Sequence, residues 1–149
     1  MAFRDALTQA RKSGADRLFG GWRFSFSGSE VTRVGAWLCL FAAIARFQDR
    51  VGWALALLLA ALILDIFDGV VARQRGENNP EIDLAADRFG ELVFVGALFW
   101  RDSLWVALAY TTCYFANVFL PFKRVPVLPL RHALGVYFVF LLVRSMSSA

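Results

Sequence analysis

Histidine occurs once in the 149 residues, cysteine twice and proline four times. Cys39 and Cys113 both fall inside apolar runs, and neither has the spacing of a metal ligand. They read as small packing or lipid-facing residues, which leaves zinc chemistry without its usual ligands. His132 stands alone and reads as a packed or solvated side chain, not a catalyst. There is no internal repeat and no low-complexity tract, so a repeat architecture is excluded. The first residues carry no short apolar core with a small-residue cleavage site, so no secretory signal is expected. Polar sequence is the scarcest feature. At 58% hydrophobic, with a mean hydropathy of +0.54, the chain has too little polar sequence to cover its apolar runs. That excludes an ordinary soluble domain.

What is present is a series of apolar segments approaching the roughly 20 residues that cross a bilayer. The length is that of one domain. Residues 1–24 read as an interfacial amphipathic helix, with Phe3, Leu7, Ala10, Gly14 and Leu18 at near-helical spacing and Gly20-Gly21 ending it. A frayed basic tail is the alternative. Residues 25–149 read as a transmembrane unit. Ser29 is expected to cap a helix starting near Glu30, whose apolar run ends at Phe47. After the turn Gln48-Asp49-Arg50, a second span runs from Val51 to about Val71. A third begins among the acids at Asp83 and Asp87 and reaches Trp100. A fourth follows the turn Arg101-Asp102-Ser103, from Leu104 to about Phe122, with Trp105 and Tyr110 toward a headgroup belt. After a proline-rich connection, a fifth runs from Leu130 to Val143. The expected fold is an all-α integral-membrane bundle of five to six transmembrane helices.

Charge sets the orientation. With the N-terminus in the cytoplasm and the spans alternating, only Arg46, Arg50, Arg101 and Arg144 of the 16 lysines and arginines fall outside. This positive-inside bias puts the ends of spans two and three at the cytoplasmic face, where water-soluble nucleotides are available. The net charge of +4 alone would suit a nucleic-acid binder, but the basic residues follow membrane topology and form no single exposed face. No nucleic-acid partner is expected.

Four acids stand at those ends. Asp65 and Asp68 are three apart, Asp83 and Asp87 four apart, so each pair shares a helix face. A short polar link, residues 74–82, is expected to fold one pair onto the other as a helix hairpin. Four converging carboxylates repel unless a cation joins them. Hard oxygen ligands without Cys or His suit Mg²⁺, Mn²⁺ or Ca²⁺. Four carboxylates would balance two divalent ions, an arrangement that clamps phosphoryl groups in displacement reactions. The bland alternative is an interfacial set of acids paired with Arg73, Arg75 and Arg88.

The spacing carries more information than the charge. Asp65-x-x-Asp68-Gly69-x-x-Ala72-Arg73, followed by Asp83-x-x-x-Asp87, resembles the signature of the CDP-alcohol phosphotransferases, membrane enzymes of phospholipid synthesis. The first half matches at every defined position. The second keeps both acids, with Asn79 in place of a glycine and a spacer shorter than usual by three residues. The start of the first span, SGSEVTRVG, is similar to the family's too.

The resemblance implies transfer of a substituted phosphoryl group from a CDP-alcohol donor, CDP-diacylglycerol above all, to an acceptor hydroxyl, with release of CMP. It implies two Mg²⁺ or Mn²⁺ ions on Asp65, Asp68, Asp83 and Asp87, the first three chiefly, with Asp87 also serving as the base. Gly69 and Ala72 would let the nucleotide approach the helix, and Arg73 would pair with a donor phosphate. Arg124, Arg131 and His132 are candidates for an acceptor phosphate, with membrane anchoring as the plainer reading. A homodimer among membrane lipids, in a bacterial inner membrane with the active site facing the cytoplasm, is expected. Two other classes stay open: a shortened non-catalytic relative that binds metal or nucleotide or serves as a structural subunit, and a small ion carrier.

Overall fold

A computed structural model describes residues 25–76, 80–119 and 130–147. The expected interfacial helix of residues 1–24 lies outside them, as do Asn79, Arg124 and the end of the fourth expected span. The described residues form five helices: α1 (Gly28–Phe47), α2 (Val51–Arg75), α3 (Pro80–Arg101), α4 (Leu104–Phe119) and α5 (Leu130–Ser147).

Local chemistry explains the boundaries. Ser27, not Ser29, caps α1. Its hydroxyl accepts from the Glu30 backbone N–H at 3.2 Å, while the Glu30 carboxylate accepts from the Ser27 N–H at 2.7 Å. This reciprocal capping box needs serine three residues before glutamate, a spacing Ser27 has and Ser29 lacks. At the far end the chain reverses through Asp49, whose φ of 63° is one of the left-handed conformations aspartate tolerates. Gly76, φ 66°, terminates α2 in the same region, where glycine carries no Cβ penalty. α3 opens on Pro80, which suits a first helical position.

Helices α1, α2 and α5 are long and apolar enough to cross a membrane. α4 is apolar but only 16 residues long, and α3 carries five charged residues between Glu81 and Glu91 and a sixth, Arg101, at its end. Together they make the all-α membrane bundle that composition requires. Small buried residues, Ala42, Ala43, Ala54 and Ala61, let α1 and α2 approach closely, as membrane helices do where apolar burial gives no net drive. Phe94 of α3 and Phe138 of α5 fill the centre with ring centroids 5.9 Å apart. The outer face is apolar, with Trp37, Ile63, Leu92 and Phe140 exposed, as a lipid solvent allows. Trp53, Trp100 and Trp105 cluster by the turns at residues 48–50 and 101–103, where an aromatic belt would lie. Tyr110 is not part of it. It is buried, and its hydroxyl donates to the Glu91 carbonyl at 2.8 Å.

The expected hairpin of α2 on α3 does not form. No Cα of α2 comes within 8 Å of one in α3. Instead α1 packs against both helices, and α5 packs mainly against α2 with a smaller contact to α3. Two helix ends that each present a pair of carboxylates repel one another, and neutral or cationic side chains from α1 and α5 fill the space between.

Candidate functional site: an acidic interhelical cleft

The four aspartates come to this cleft from two backbones. Asp65 and Asp68 lie in the last turns of α2. Asp83 lies in the first turn of α3, where the helix dipole favours an anion, and Asp87 one turn further. They converge as two clasped pairs rather than one cluster.

The first clasp is a hydroxyl. Thr32 Oγ1 of α1 lies 2.9 Å from Asp68 Oδ2 and 3.2 Å from Asp83 Oδ1. It is also 3.0 Å from the Gly28 carbonyl, one turn back. The second clasp is a guanidinium. One nitrogen, Arg131 Nη2 of α5, donates to Asp65 Oδ1 at 3.2 Å and to Asp87 Oδ1. Thr32 is buried and Arg131 mostly so, whereas the Asp87 side chain is 42% exposed, so the cleft is open to water on that side. Asp65, Asp68, Asp87, Thr32 and Arg131 line a cavity of about 10 Å³, enough for about one water-sized occupant.

Sequence position leads to the acids but not to both clasps. Thr32 lies in the family-like stretch SGSEVTRVG, but its residue type alone does not mark it as a partner of the acids. Arg131 was a candidate for an acceptor phosphate, and here it bridges two carboxylates. Of the arginines expected to offset the acids, Arg88 pairs with Glu91 at 2.5 Å and Arg75 donates to the Ser25 carbonyl at 2.7 Å.

The remaining motif residues divide. Arg73 folds over Gly69, its guanidinium 3.3 Å from where a Cβ at Gly69 would stand. A Cβ at Gly28 would stand 3.0 Å from the Ala72 Cβ and 3.2 Å from the Asp68 carbonyl. Ala72 is therefore small for the sake of α1 as well as for any ligand.

Does the site suit a divalent cation? By donor chemistry it does: the side chains facing the cavity offer carboxylate and hydroxyl oxygens, the ligands of Mg²⁺ and Mn²⁺. By spacing, no three acidic, cysteine or histidine side chains among the described residues stand close enough together to hold one. The clasps keep the carboxylates in pairs, and a bound cation would draw them inward.

Fold and cleft together define an integral-membrane helical protein with facing acid pairs at one end of its bundle. A sequence model of the CDP-alcohol phosphatidyltransferase family matches residues 30–145, and the chain belongs to that family. Its activity is therefore phosphoryl transfer from a CDP-alcohol donor to an alcohol acceptor in lipid synthesis. No curated protein and no solved structure matches the chain.

Proposed function

We propose that the protein transfers a phosphatidyl group from CDP-diacylglycerol to an acceptor alcohol with release of CMP. The observation that carries this reading is the convergence of the family's four acids in one cleft, although α2 and α3 make no contact of their own. A lipid donor suits a cleft whose outer walls are apolar helices.

The acceptor hydroxyl attacks the phosphorus nearer the donor alcohol. A new oxygen–phosphorus bond forms, and the bond from that phosphorus to the bridging oxygen breaks. CMP departs with the bridging oxygen, and the acceptor's proton passes to Asp87, which must lie within hydrogen-bond reach of it. Asp65, Asp68 and Asp83 chiefly, with Asp87 beside them, would hold two Mg²⁺ or Mn²⁺ ions. When bound, these supply positive charge against the anionic oxygens of the transferring group. Gly69 would let the nucleotide approach α2, and Arg73, whose guanidinium lies over Gly69, would pair with a donor phosphate. Fixed positive charge aimed at the transferring group lowers the barrier most. Thr32, which joins Asp68 to Asp83, would hold those two carboxylates in place.

The positive-inside bias supports an orientation with this cleft facing the cytoplasm. The family resemblance supports a homodimer. The test is direct: purified protein in nanodiscs, CDP-diacylglycerol, Mn²⁺ and a panel of acceptor alcohols, with CMP as the readout. Mn²⁺-dependent CMP release supports the reading. Nucleotide binding without turnover for any acceptor would assign the chain instead to the non-catalytic relatives, which the shortened spacer favours.

A further inference from the structure

Arg131 is placed unlike an anchoring arginine. Its guanidinium is turned inward to the cleft, one nitrogen shared by an acid of α2 and an acid of α3. Its stem runs beside Gly90, where a Cβ would stand 3.9 Å from Arg131 Cδ and 3.2 Å from Cys39 Sγ. The stem is at ordinary contact distance there, and the close neighbour of residue 90 is Cys39. The cavity beside the guanidinium holds about one water-sized occupant, and Asp65, Asp68 and Asp87 line it.

We infer that Arg131 competes with a divalent cation for Asp65 and Asp87, and so sets how tightly the cleft holds metal. This rests on the metal-assisted reading above. A divalent ion in that cavity would abut the guanidinium, and like charges a few ångströms apart repel. Nor can the carboxylates close on an ion while Arg131 holds Asp65 and Asp87 as a pair: among the described residues no three ligands stand at metal-holding spacing. Cation binding therefore displaces Arg131 from these two acids. Arg131, at the start of α5, is a positioning residue.

The test measures Mn²⁺ binding by the decrease of the free-ion electron paramagnetic resonance signal, in full-length protein in nanodiscs. Arg131→Met keeps the stem and removes the charge, and is expected to bind Mn²⁺ about tenfold more tightly than wild type, a difference of about 1.4 kcal/mol. Arg131→Lys keeps a cation and should stay near wild type. Should Arg131→Met fail to fold, the wild type still decides: saturating Mg²⁺ should shift the side-chain nitrogen resonance of Arg131, assigned through Arg131→Lys. Equal or weaker Mn²⁺ binding by Arg131→Met, or an unmoved resonance at saturation, overturns the competition and leaves the metal reading intact. Absence of Mn²⁺ binding in every variant, Arg131→Met included, removes the metal reading and this inference with it.

Discussion

Thr32 Oγ1 sits 2.9 Å from Asp68 Oδ2, and the same oxygen is 3.2 Å from Asp83 Oδ1 and 3.0 Å from the Gly28 carbonyl. A hydroxyl has one hydrogen to give. Three acceptors therefore share one donor, and α1 is joined to both acid-bearing helices through a single atom. Replacing the hydroxyl by a methyl should separate the acids without altering volume. Thr32→Val is expected to lose about 1–3 kcal/mol of stability, the range for hydrogen bonds to charged groups. CMP release should drop with it. Thr32→Ser should recover most of both. Thermal unfolding alongside the CMP assay checks this, and equal behaviour of the valine and serine variants would count against the clasp.

Asp68 faces the cavity and Thr32 at once. Asp68→Asn keeps the shape, removes a charge and turns one acceptor into a donor. Turnover should fall about 100- to 1000-fold, the usual cost of losing one preorganised electrostatic contact. Mn²⁺ binding should weaken in parallel. Wild-type CMP release by this variant would remove the role assigned to the acid cleft.

Gly28 and Ala72 form the tightest contact between α1 and α2 near the site, with 3.0 Å from a Cβ at residue 28 to the Ala72 Cβ. Gly28→Ala should force the helices apart, at about 1–3 kcal/mol, as overpacking does. Because Thr32 is one turn away, CMP release should suffer too. Adding Ala72→Gly should restore part of the loss, since the two sites share the clash. Melting temperatures of the two single variants and the double variant test it.

At the opposite end of the bundle, Arg46 donates to Asp102 at 2.7 Å, and the Tyr137 hydroxyl donates to the same Asp102 oxygen at 2.6 Å. The Arg46 and Asp102 side chains are only 4% and 1% exposed. Arg46 also donates to Asp49 at 2.9 Å, so losing Asp102 leaves the guanidinium half-paired, at about 1–3 kcal/mol for buried donors left without an acceptor. Asp102→Ala should therefore lower the unfolding temperature markedly. Below that temperature, CMP release per folded molecule should match wild type, because the network is remote from the aspartates. A specific loss of turnover in folded protein would contradict this division between support and chemistry.

Much of the organisation was legible from residues alone. Turns at Gln48–Arg50 and Arg101–Ser103 interrupt the apolar runs as expected, and the acids mark the cleft because their spacing exceeds what anchoring needs. The cap was legible too, since Ser27 and Glu30 carry the capping-box spacing; Ser29 merely lies nearer. Other features were not. A short link suggests that consecutive helices touch, yet α1 intervenes between α2 and α3, a choice made by packing and charge across long separations. The two clasps come from residues 36 and 66 positions away in sequence from the acids they hold, Thr32 to Asp68 and Arg131 to Asp65. Residue type marks neither, because threonine near a helix start and arginine at a membrane edge are ordinary.

Since no Cα of α2 lies within 8 Å of one of α3, spreading or narrowing the gap between them disturbs their packing on α1 more than any packing on each other. The opposing acids can thus change separation by small tilts about α1, with a hydroxyl and a guanidinium as the yielding parts. A CDP-alcohol could be admitted and its products let go by such breathing, while the Phe94–Phe138 centre of the bundle stays as it is.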